Sequence, residues 1–527
     1  MKPGHWLVIS VGLGLCLAHA RPAEGAPAYV RLSYTGDTTT TMTVTWHTEG
    51  DVGTEVRFGT VSGDHTFTVT GTSFAATAPA FGYIHEVTLT GLSPATTYYY
   101  VAGDEGDGFS AEHAFVTGPV QDENCGSFRF VYLGDNRPDP IFGGGGNWDQ
   151  ILDEAWSTNP AFIMNGGDLV TDGDNIAGWL AFLDWTTDVI SEAPFMPVLG
   201  NHDTGPGSGD TANYNQLFAL PRSEGDYGSG TEDYYYFTYG NAIFVGLSTE
   251  SFEGGAIPFQ DQADYLDEVL TENPRRWRIV FFHKPSYTHE ALFSISHEPN
   301  EQDQNEALVD VMDFHHVDIV INSHNHWYER FNPSACGTAG DPGSASACSV
   351  GEDNFADGTV YIVSGGAGAF TIPGYLCGSE TGRADCNGSH HYLLFDIEDE
   401  VLTMEMWGAF PHRPEVLDTI TITKEVVPCE ATDGDADADI DADADGDGDG
   451  DGDGDGDGDG DGDGDGDGDG DGDGDSDGDV DGDGDVDGGG GDGGEIGGDD
   501  GEGPGQGGCS CRSAGTSLEV SWLSIFM

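Results

Sequence analysis

The stretch VYLGDNRPDP, residues 131–140, decides the fold of the larger part of this 527-residue chain. Its apolar start predicts a buried β-strand, and Gly134 followed by two prolines predicts a turn directly after it. The strand therefore ends at a carboxylate, Asp135, and an arginine, Arg137, stands two residues further on. A carboxylate at the end of a buried strand needs a partner, so the question is which other residues lie near Asp135.

Four further strands of the predicted domain end on polar residues. The carboxyl ends of strands in open α/β sheets converge on the ligand crevice, so we expect these residues to meet in space. The strands are AFIMNGGD (161–168), which ends at Asp168; FMPVLGNHD (195–203), with Asn201 and His202; RIVFFHK (278–284), with His283; and VDIVINSHNH (317–326), with His324 and His326.

Together these strand ends supply carboxylate, amide and imidazole groups. Divalent and trivalent metals are bound by such groups, and two ions about 3.5–4 Å apart need a carboxylate that bridges them. Taken singly, each residue is ordinary, because LGD and GGD are common strand-to-turn sequences. As a set they predict a binuclear metal site.

From Cys125 to Cys429 apolar strands alternate with helical patterns, which predicts a layered α/β domain at 125–429. Further strands are expected in AIFVGLSTE (242–250) and TVYIVSGGAG (359–368). The helix candidates are WDQILDEAW (148–156), WLAFLDWTTDVI (179–190), DQADYLDEVL (261–270) and NEALVDVMDFH (305–315).

Residues 27–118 have a different, period-2 pattern that is rich in Thr, Val and Tyr. About seven short strands separated by Gly, Asp and Ser predict a β-sandwich of the immunoglobulin or fibronectin type, with Trp46 in its core. This segment has no cysteine pair, which favours the fibronectin III-like form.

The C-terminal tail at 430–507 is an acidic, low-complexity segment of alternating Asp and Gly. Between Asp433 and Glu502 there are 33 acidic residues and no Lys or Arg. Such a segment cannot bury a core, and we expect it to be disordered without cations. Its D-x-D-x-D-G spacing resembles the calcium-binding repeats of thrombospondin type 3, so we expect either Ca²⁺ binding or a solvated spacer. Residues 508–527, with Cys-Ser-Cys-Arg, resemble a myxobacterial surface-sorting tag or form an unstructured end.

The net charge of −79, with only 16 Lys and Arg, excludes nucleic acid as a plausible partner. Residues 1–26 carry a lysine, an apolar run and small residues, which predicts a signal peptide. A membrane anchor is the alternative, but the apolar run from Trp6 to Ala20 is shorter than the roughly 20 residues that span a bilayer. We therefore expect a secreted, periplasmic or cell-surface protein without stable membrane insertion beyond surface anchoring.

Six cysteines between 125 and 429 agree with export, because an even number in an exported chain suggests disulfides. None of them lies in a CxxC pair, which argues against a zinc cluster. The expected pairs are Cys336–Cys348 and Cys377–Cys386, each closing a short Gly-rich loop, and Cys125–Cys429, which joins the two ends of the large domain.

The motifs GD (134–135), GGD (166–168), GNHD (200–203), FFH (281–283) and SHNHWYER (323–330) resemble, in order and spacing, those of the calcineurin-like metallophosphoesterases. The purple acid phosphatase-like branch is the most similar, because it pairs the catalytic domain with an N-terminal fibronectin-like domain. TMTVTWHT (41–48) and VTLTGLSPATTYYYVAG (87–103) resemble the signature of that N-terminal domain.

The resemblance implies two metal ions, of iron, zinc or manganese, and a role for each matching residue. Asp168 would bridge the ions, and a hydroxide that they acidify would attack phosphorus in line. His202 would hydrogen-bond the phosphate and help to protonate the leaving oxygen. His289, or in its place His297, would add a further catalytic histidine, unless it is only a surface residue. The first ion would be bound by Asp135 and His326, and the second by Asn201, His283 and His324.

Two positions depart from the family pattern. Many members have a histidine two residues after the first Asp, and the purple branch has a tyrosine in GDxxY; here Arg137 and Thr171 stand at these positions. Without the tyrosinate the protein should not be purple even with iron bound. Arg137 stays protonated and cannot bind a metal.

Three interpretations of the first metal site follow from these departures. Arg137 contacts the substrate phosphate while waters complete the site, or an oxygen of Asn136, Thr171 or Asp172 completes it, or the first site is weak and activity low. The presence of the other six ligands argues against lost activity.

These observations predict a secreted binuclear-metal phosphoesterase that hydrolyses small phosphate monoesters, like an acid phosphatase. A phosphodiesterase or nucleotidase on the same scaffold is the nearest alternative. An alternative of another class is a calcium-binding surface or adhesion protein with a vestigial phosphatase site. The oligomeric state is left open.

Overall fold

The structure is a computed structural model that describes residues 26–137, 147–225, 227–250, 259–288, 302–336, 348–371, 383–427 and 429. The predicted signal peptide, the Asp-Gly tail with its calcium sites and the segment 508–527 lie outside these residues and stay predictions. Among the described residues, no helix is both long and apolar enough to cross a membrane.

The N-terminal domain is a β-sandwich, as its period-2 pattern predicts. Trp46 is fully buried in its core and stacks on the ring of His85 at 5.0 Å between centroids. The sandwich has nine strands rather than seven. They are β1 (Ala28–Ser33), β2 (Met42–Thr48), β3 (Glu55–Gly59), β4 (Phe67–Thr70), β5 (Thr72–Ala75), β6 (Tyr83–Leu89), β7 (Thr97–Asp104), β8 (Gly108–Phe109) and β9 (His113–Val116).

One sheet of the sandwich has the order β1-β2-β6-β5, and the other has the order β4-β3-β7-β8, with β9 also paired to β7. Both sheets are joined to the second domain. Leu32 of β1 forms a bridge with Pro194, and the hydroxyl of Tyr100 donates a 2.7 Å hydrogen bond to the carbonyl of Ser191. The sandwich is therefore packed directly against the larger domain.

In the described residues of the second domain there are thirteen strands, several of which lie in the apolar runs that end on polar residues. They are β10 (Ser127–Leu133), β11 (Ile163–Asn165), β12 (Phe195–Pro197), β13 (Tyr235–Tyr239), β14 (Ala242–Gly246), β15 (Trp277–Phe282), β16 (Ile319–Asn322), β17 (Tyr328–Phe331), β18 (Val360–Ser364), β19 (Arg383–Asn387), β20 (His391–Glu398), β21 (Val401–Gly408) and β22 (Glu415–Thr423).

These strands form two mixed sheets. The first has the order β12-β11-β10-β20-β21-β22, in which β10, β11 and β12 are parallel and β20–β22 antiparallel. The second has the order β13-β14-β15-β16-β18-β17-β19, in which β14, β15, β16 and β18 are parallel. The predicted α/β class is confirmed, and its core consists of two sheets.

Helices cover both sheets. Phe182 of the second helix contacts Trp148 of the first helix and Phe195 of β12. The last two helices share an apolar cluster with Val280 of β15. The helices are α1 (Trp148–Trp156), α2 (Ile176–Ile190), α3 (Asn213–Leu217), α4 (Phe259–Glu272) and α5 (Gln302–Phe314), with short 3₁₀ turns at Pro79–Phe81 and Gly209–Thr211.

An aromatic core joins the two sheets and the sandwich. Phe162, which precedes β11, is fully buried and stacks on Phe130 of β10 at 5.3 Å between ring centroids. Its ring also lies 5.2 Å from that of Phe244 in the second sheet and 6.2 Å from that of Tyr34 in the sandwich. Each such aromatic pair adds roughly 0.5–1.5 kcal/mol beyond the buried area.

Two of the three expected disulfides are present. Cys125 is bonded to Cys429, and Cys336 to Cys348. Cys386 is disulfide-bonded as well, but Cys377, its expected partner, lies outside the described residues. The Cys125–Cys429 bond joins positions 304 residues apart and so connects the two ends of the larger domain.

Replacing Phe162 should destabilise the protein strongly. Phe162→Ala leaves a cavity where three structural layers meet, and we expect a loss of about 3–5 kcal/mol in the free energy of unfolding, measured by denaturant titration. Phe314→Ala is the matched control, because Phe314 is 74% exposed and its loss should change stability by less than about 0.5 kcal/mol. Equal stability losses for the two variants would contradict the assignment of Phe162 to the core.

Candidate metal centre

Five strands bring their carboxyl ends to one region. Neighbouring strands β10, β11 and β12 of the first sheet run parallel, as do β15 and β16 of the second sheet. The parallel strands of each sheet end at the same edge. The residues that follow these strands are Asp135 after β10, Asp168 after β11, Asn201 and His202 after β12, His283 after β15, and His324 and His326 after β16.

One group of ligand atoms surrounds Nε2 of His283. This nitrogen lies 3.0 Å from Oδ1 of Asn201, 3.1 Å from Nδ1 of His324 and 3.3 Å from Oδ1 of Asp168. His283, His324 and Asp168 are all buried. The four side chains that the sequence predicts around the second ion are therefore brought together.

The orientation of the His283 ring shows that this group suits a cation. Its Nδ1 lies 2.8 Å from the carbonyl of Gly166 and donates a hydrogen bond there. In a neutral ring Nε2 then carries a lone pair, which faces the oxygens of Asn201 and Asp168. Lone pairs at such distances repel unless a cation or a proton lies between them. Burial opposes protonation of His283, but the charges of Asp168 and Asp135 outweigh it and raise its pKa.

A second group consists of Asp135, Asp168 and His326, whose ligand atoms all lie within 4.8 Å of one another. Nδ1 of His326 donates to the carbonyl of Phe370 at 2.7 Å, which leaves Nε2 directed to Oδ1 of Asp135 at 3.3 Å. This Oδ1 is buried and has no hydrogen-bond partner among the described residues. A buried carboxylate oxygen without a donor is costly, so the group also suits a cation.

Asp168 belongs to both groups, as expected for the bridging residue. Its Oδ1 accepts a 3.0 Å hydrogen bond from the backbone N–H of His202, and its Oδ2 accepts hydrogen bonds from Arg137. Burial opposes ionisation of this carboxyl, but the positive charges of Arg137 and His283 outweigh burial. The pKa of Asp168 is therefore well below its ordinary value.

Arg137 lies at the centre of the site, on the bridging carboxylate. Its Nε lies 2.9 Å from Oδ2 of Asp168, and its Nη2 bonds the same oxygen. Its backbone N–H donates to the carbonyl of Asp168 at 3.1 Å. The contact between Arg137 and a substrate phosphate stays a prediction.

Asn136 and Asp172, two of the residues predicted as extra ligands, make hydrogen bonds to other residues of the chain. Oδ1 of Asn136 accepts a hydrogen bond from Asn165 at 3.1 Å, and Nδ2 of Asn136 donates to the carbonyl of Leu169 at 2.9 Å. Asp172 is exposed, and its Oδ1 accepts from the backbone N–H of Asp174. The amide of Asn136 therefore ties two loops together.

His202 is oriented by a backbone carbonyl. Its Nδ1 donates a 2.6 Å hydrogen bond to the carbonyl of Thr171. The ring is partly exposed, so Nε2 is the nitrogen that can meet a substrate. His289 and His297, the expected further histidines, lie outside the described residues.

Asp203 is a residue of the site that sequence reasoning missed. Its fully buried carboxylate accepts hydrogen bonds from the backbone N–H groups of Asp168, Gly200 and Val170 at 2.8–3.1 Å. Burial and the charge of Asp168 raise its pKa to about 8. The only available signal was its place in GNHD, where an acidic residue after a strand end is too common to indicate this role.

Three of the ligand residues have left-handed backbone conformations. The φ angles are 55° at Asp135, 58° at Asp168 and 69° at His324. Such conformations cost non-glycine residues about 1–3 kcal/mol and cluster at functional sites. Gly167 has a φ of 91° and lies in the loop after β11. A Cβ at this position would lie 2.6 Å from the nitrogen of Gly200, so glycine allows the loop to pass close to Gly200.

Two family models match the chain. The purple acid phosphatase N-terminal domain matches residues 27–117, and the calcineurin-like phosphoesterase matches residues 98–328. The two matches overlap at 98–117. The structure assigns this overlap to the sandwich, because β7 and β9 pair within one of its sheets.

Similar proteins are found in plants and bacteria. The chain is 28% identical over 319 residues to purple acid phosphatase 23 of Arabidopsis thaliana, a match that covers 52% of this chain and 65% of that protein. It is 26% identical over 465 residues to an uncharacterized protein of Mycobacterium tuberculosis, which covers 78% of this chain and 83% of that protein.

Two solved structures share the fold. Purple acid phosphatase PPD1 from yellow lupin superposes with a TM-score of 0.63 at 22% identity, over 76% of this chain and 75% of that chain. PhoD superposes with a TM-score of 0.56 at 12% identity, over 76% of this chain and 91% of that chain. At these identities the likeness shows the fold alone.

Replacing Asp203 should loosen the site without removing a ligand. Above its pKa of about 8, Asp203 is ionised and both of its oxygens accept, whereas in Asp203→Asn one of them becomes an NH₂ group that cannot accept from a backbone N–H. We expect a loss of about 1–3 kcal/mol in the free energy of unfolding and a lower metal content, measured by denaturant titration and elemental analysis. Asp174→Asn, at an exposed position in a neighbouring loop, should leave both unchanged. Wild-type stability and metal content in Asp203→Asn would show that Asp203 does not hold these loops.

Proposed function

Because this chain is a calcineurin-like phosphoesterase with a purple acid phosphatase N-terminal domain, we propose that it hydrolyses phosphate monoesters with the help of two metal ions. The supporting observation is the convergence of six ligand side chains in two groups that share Asp168. The mismatch of lone pairs around His283 fits a bound cation, and so does Oδ1 of Asp135, which accepts no hydrogen bond from the described residues. The metals would be iron, zinc or manganese, which accept such mixed oxygen and nitrogen ligands.

The cations would supply Lewis acidity toward the phosphate oxygens. The chain itself positions the reacting groups, since two of the three ligand rings are fixed by a hydrogen bond to a backbone carbonyl: His283 to Gly166, and His326 to Phe370. Such partners fix the tautomer of a ligand histidine. The site is therefore ordered for binding by its own backbone.

His202 is the proposed general acid. Its Nδ1 is used by the carbonyl of Thr171, so in the imidazolium form the proton on Nε2 is free to be donated. Nε2 would hydrogen-bond a phosphate oxygen and give its proton to the leaving oxygen of the ester. His289 stays a prediction for a second contact of this kind.

We also propose that the enzyme works outside the cytoplasm, as a secreted, periplasmic or cell-surface protein. The disulfides Cys125–Cys429 and Cys336–Cys348 support this proposal, because such bonds are typical of oxidising compartments. The acidic tail, with or without bound Ca²⁺, would then face the same compartment.

Replacing His202 should remove turnover but not metal. With His202→Ala we expect kcat for p-nitrophenyl phosphate to fall by about 10²- to 10⁴-fold, because the leaving oxygen loses its acid. Metal content by elemental analysis should stay at the wild-type level, since His202 is outside both ligand groups. His316→Ala is the control, because His316 is exposed and precedes β16, whereas the ligands His324 and His326 follow that strand. Unchanged kcat in His202→Ala would exclude the proposed role.

Removal of metal should abolish hydrolysis reversibly. After chelation and dialysis we expect loss of activity, and Zn²⁺, Mn²⁺ or Fe²⁺ should restore it in the wild type. The same ions should fail to restore Asn201→Ala, which lacks one of the ligands around His283. Activity that survives chelation would contradict a metal-dependent mechanism.

Faster hydrolysis of bis(p-nitrophenyl) phosphate than of the monoester would favour the phosphodiesterase alternative. Stoichiometric metal without turnover on either substrate would favour the surface-protein alternative.

A further inference from the structure

The two ligand groups of the metal centre are unequal. Around His283, atoms of three other side chains lie 3.0–3.3 Å from its Nε2. Around Asp135, His326 and the shared Asp168 are the only group members among the residues that the structure describes. The group of Asp135 and His326, which would hold the first ion, therefore depends on Asp168 more than the group around His283 does.

Arg137 hydrogen-bonds Oδ2 of the shared Asp168, which is the oxygen that does not face the group around His283. Oδ1 of Asp168 faces His283, whereas Oδ2 accepts from both Nε and Nη2 of Arg137. The side chain of Arg137 is only 17% exposed, and its backbone N–H is fixed to the carbonyl of Asp168. A permanent positive charge thus lies on the carboxylate that both groups share, on the oxygen that does not face His283.

We propose that Arg137 competes with the first metal ion for Oδ2 of Asp168, so that the chain binds one cation tightly and the other weakly. The tight site is formed by Asn201, His283 and His324, and the weak site by Asp135 and His326. The inference rests on the function proposed above for the assignment of the two sites. It follows from charge, because a guanidinium and a metal ion on one carboxylate oxygen repel each other.

A phosphate ion would relieve this competition. A phosphate group offers a guanidinium a bidentate partner of higher charge than one carboxylate oxygen. If Arg137 turns to phosphate, Oδ2 of Asp168 becomes available to the first ion. Phosphate and the weakly bound cation should then bind cooperatively, each raising the affinity of the other by the same factor.

The experiment is a calorimetric titration of the full-length, metal-free protein with Zn²⁺. Excess Mg²⁺ is kept present so that the 33 acidic residues between Asp433 and Glu502 are already occupied. Mg²⁺ does not displace Zn²⁺ from imidazole ligands. We expect one tight step and a second step at least about tenfold weaker in the wild type, where tenfold is the affinity equivalent of one hydrogen bond to a charged group.

Variants identify the two steps. In Arg137→Gln the weak step should tighten by about 10- to 100-fold, which corresponds to the loss of a charged hydrogen-bonded competitor. Arg137→Lys is the matched control, because it keeps the positive charge and should keep the weak step weak. Asn201→Ala should lose the tight step and His326→Ala the weak step.

Inorganic phosphate tests the coupling, and its effect on the wild-type chain can be measured without any variant. It should tighten the weak step in the wild type and leave that step unchanged in Arg137→Gln. Two equally tight steps in the wild type, or a phosphate effect of the same size in Arg137→Gln, would overturn the proposal.

Binding and turnover are separate readouts. A chain that hydrolyses p-nitrophenyl phosphate but binds two ions with equal affinity contradicts this inference and leaves the proposed function intact. A chain that shows the expected tight and weak binding steps but no hydrolysis contradicts the proposed function and leaves this inference intact.

Discussion

The buried, ionised carboxylate of Asp168 is the constraint on which the metal centre depends. A carboxylate removed from water must be met by donors or cations, and this one receives the backbone N–H of His202, the guanidinium of Arg137 and the ring of His283. Each of these partners comes from a different strand end. The strands can satisfy Asp168 only if their carboxyl ends meet, which the two-sheet architecture provides.

The same constraint explains the second buried acid. Asp203 accepts from the backbone N–H groups of Asp168 and Gly200, and so it fixes the loops after β11 and β12 relative to each other. Burial and the negative charge of Asp168 raise the pKa of Asp203. Bound cations would lower that repulsion. Loop geometry and metal binding are therefore coupled through Asp203, although it belongs to neither ligand group.

The sequence predicted what depends on local pattern and left out what depends on packing. Helix α1 was predicted with its observed bounds, and the strand-end residues were named, because apolar runs and polar stops are local signals. Strands β20–β22 and β19 were not predicted, since their place in the sheets is set by long-range antiparallel pairing, such as that of Phe130 with Phe395. Asp203 and the carbonyl partners of His283 and His326 were missed because their hydrogen bonds also join separate segments of the chain.

Arg137 and Thr171 together change the charge of the group that contains Asp135 and His326. Relative to the tyrosine-containing family pattern, threonine removes one negative charge and arginine adds one positive charge beside Asp168. Both changes disfavour a highly charged ion at Asp135 and His326, whereas the group around His283 keeps its full set of ligands. A weakly held ion leaves this part of the site with less positive charge. The guanidinium of Arg137 replaces part of that charge, and an incoming phosphate meets the guanidinium instead of the ion. The departures from the family pattern are therefore electrostatically consistent with each other, as expected if the site still serves an anionic substrate.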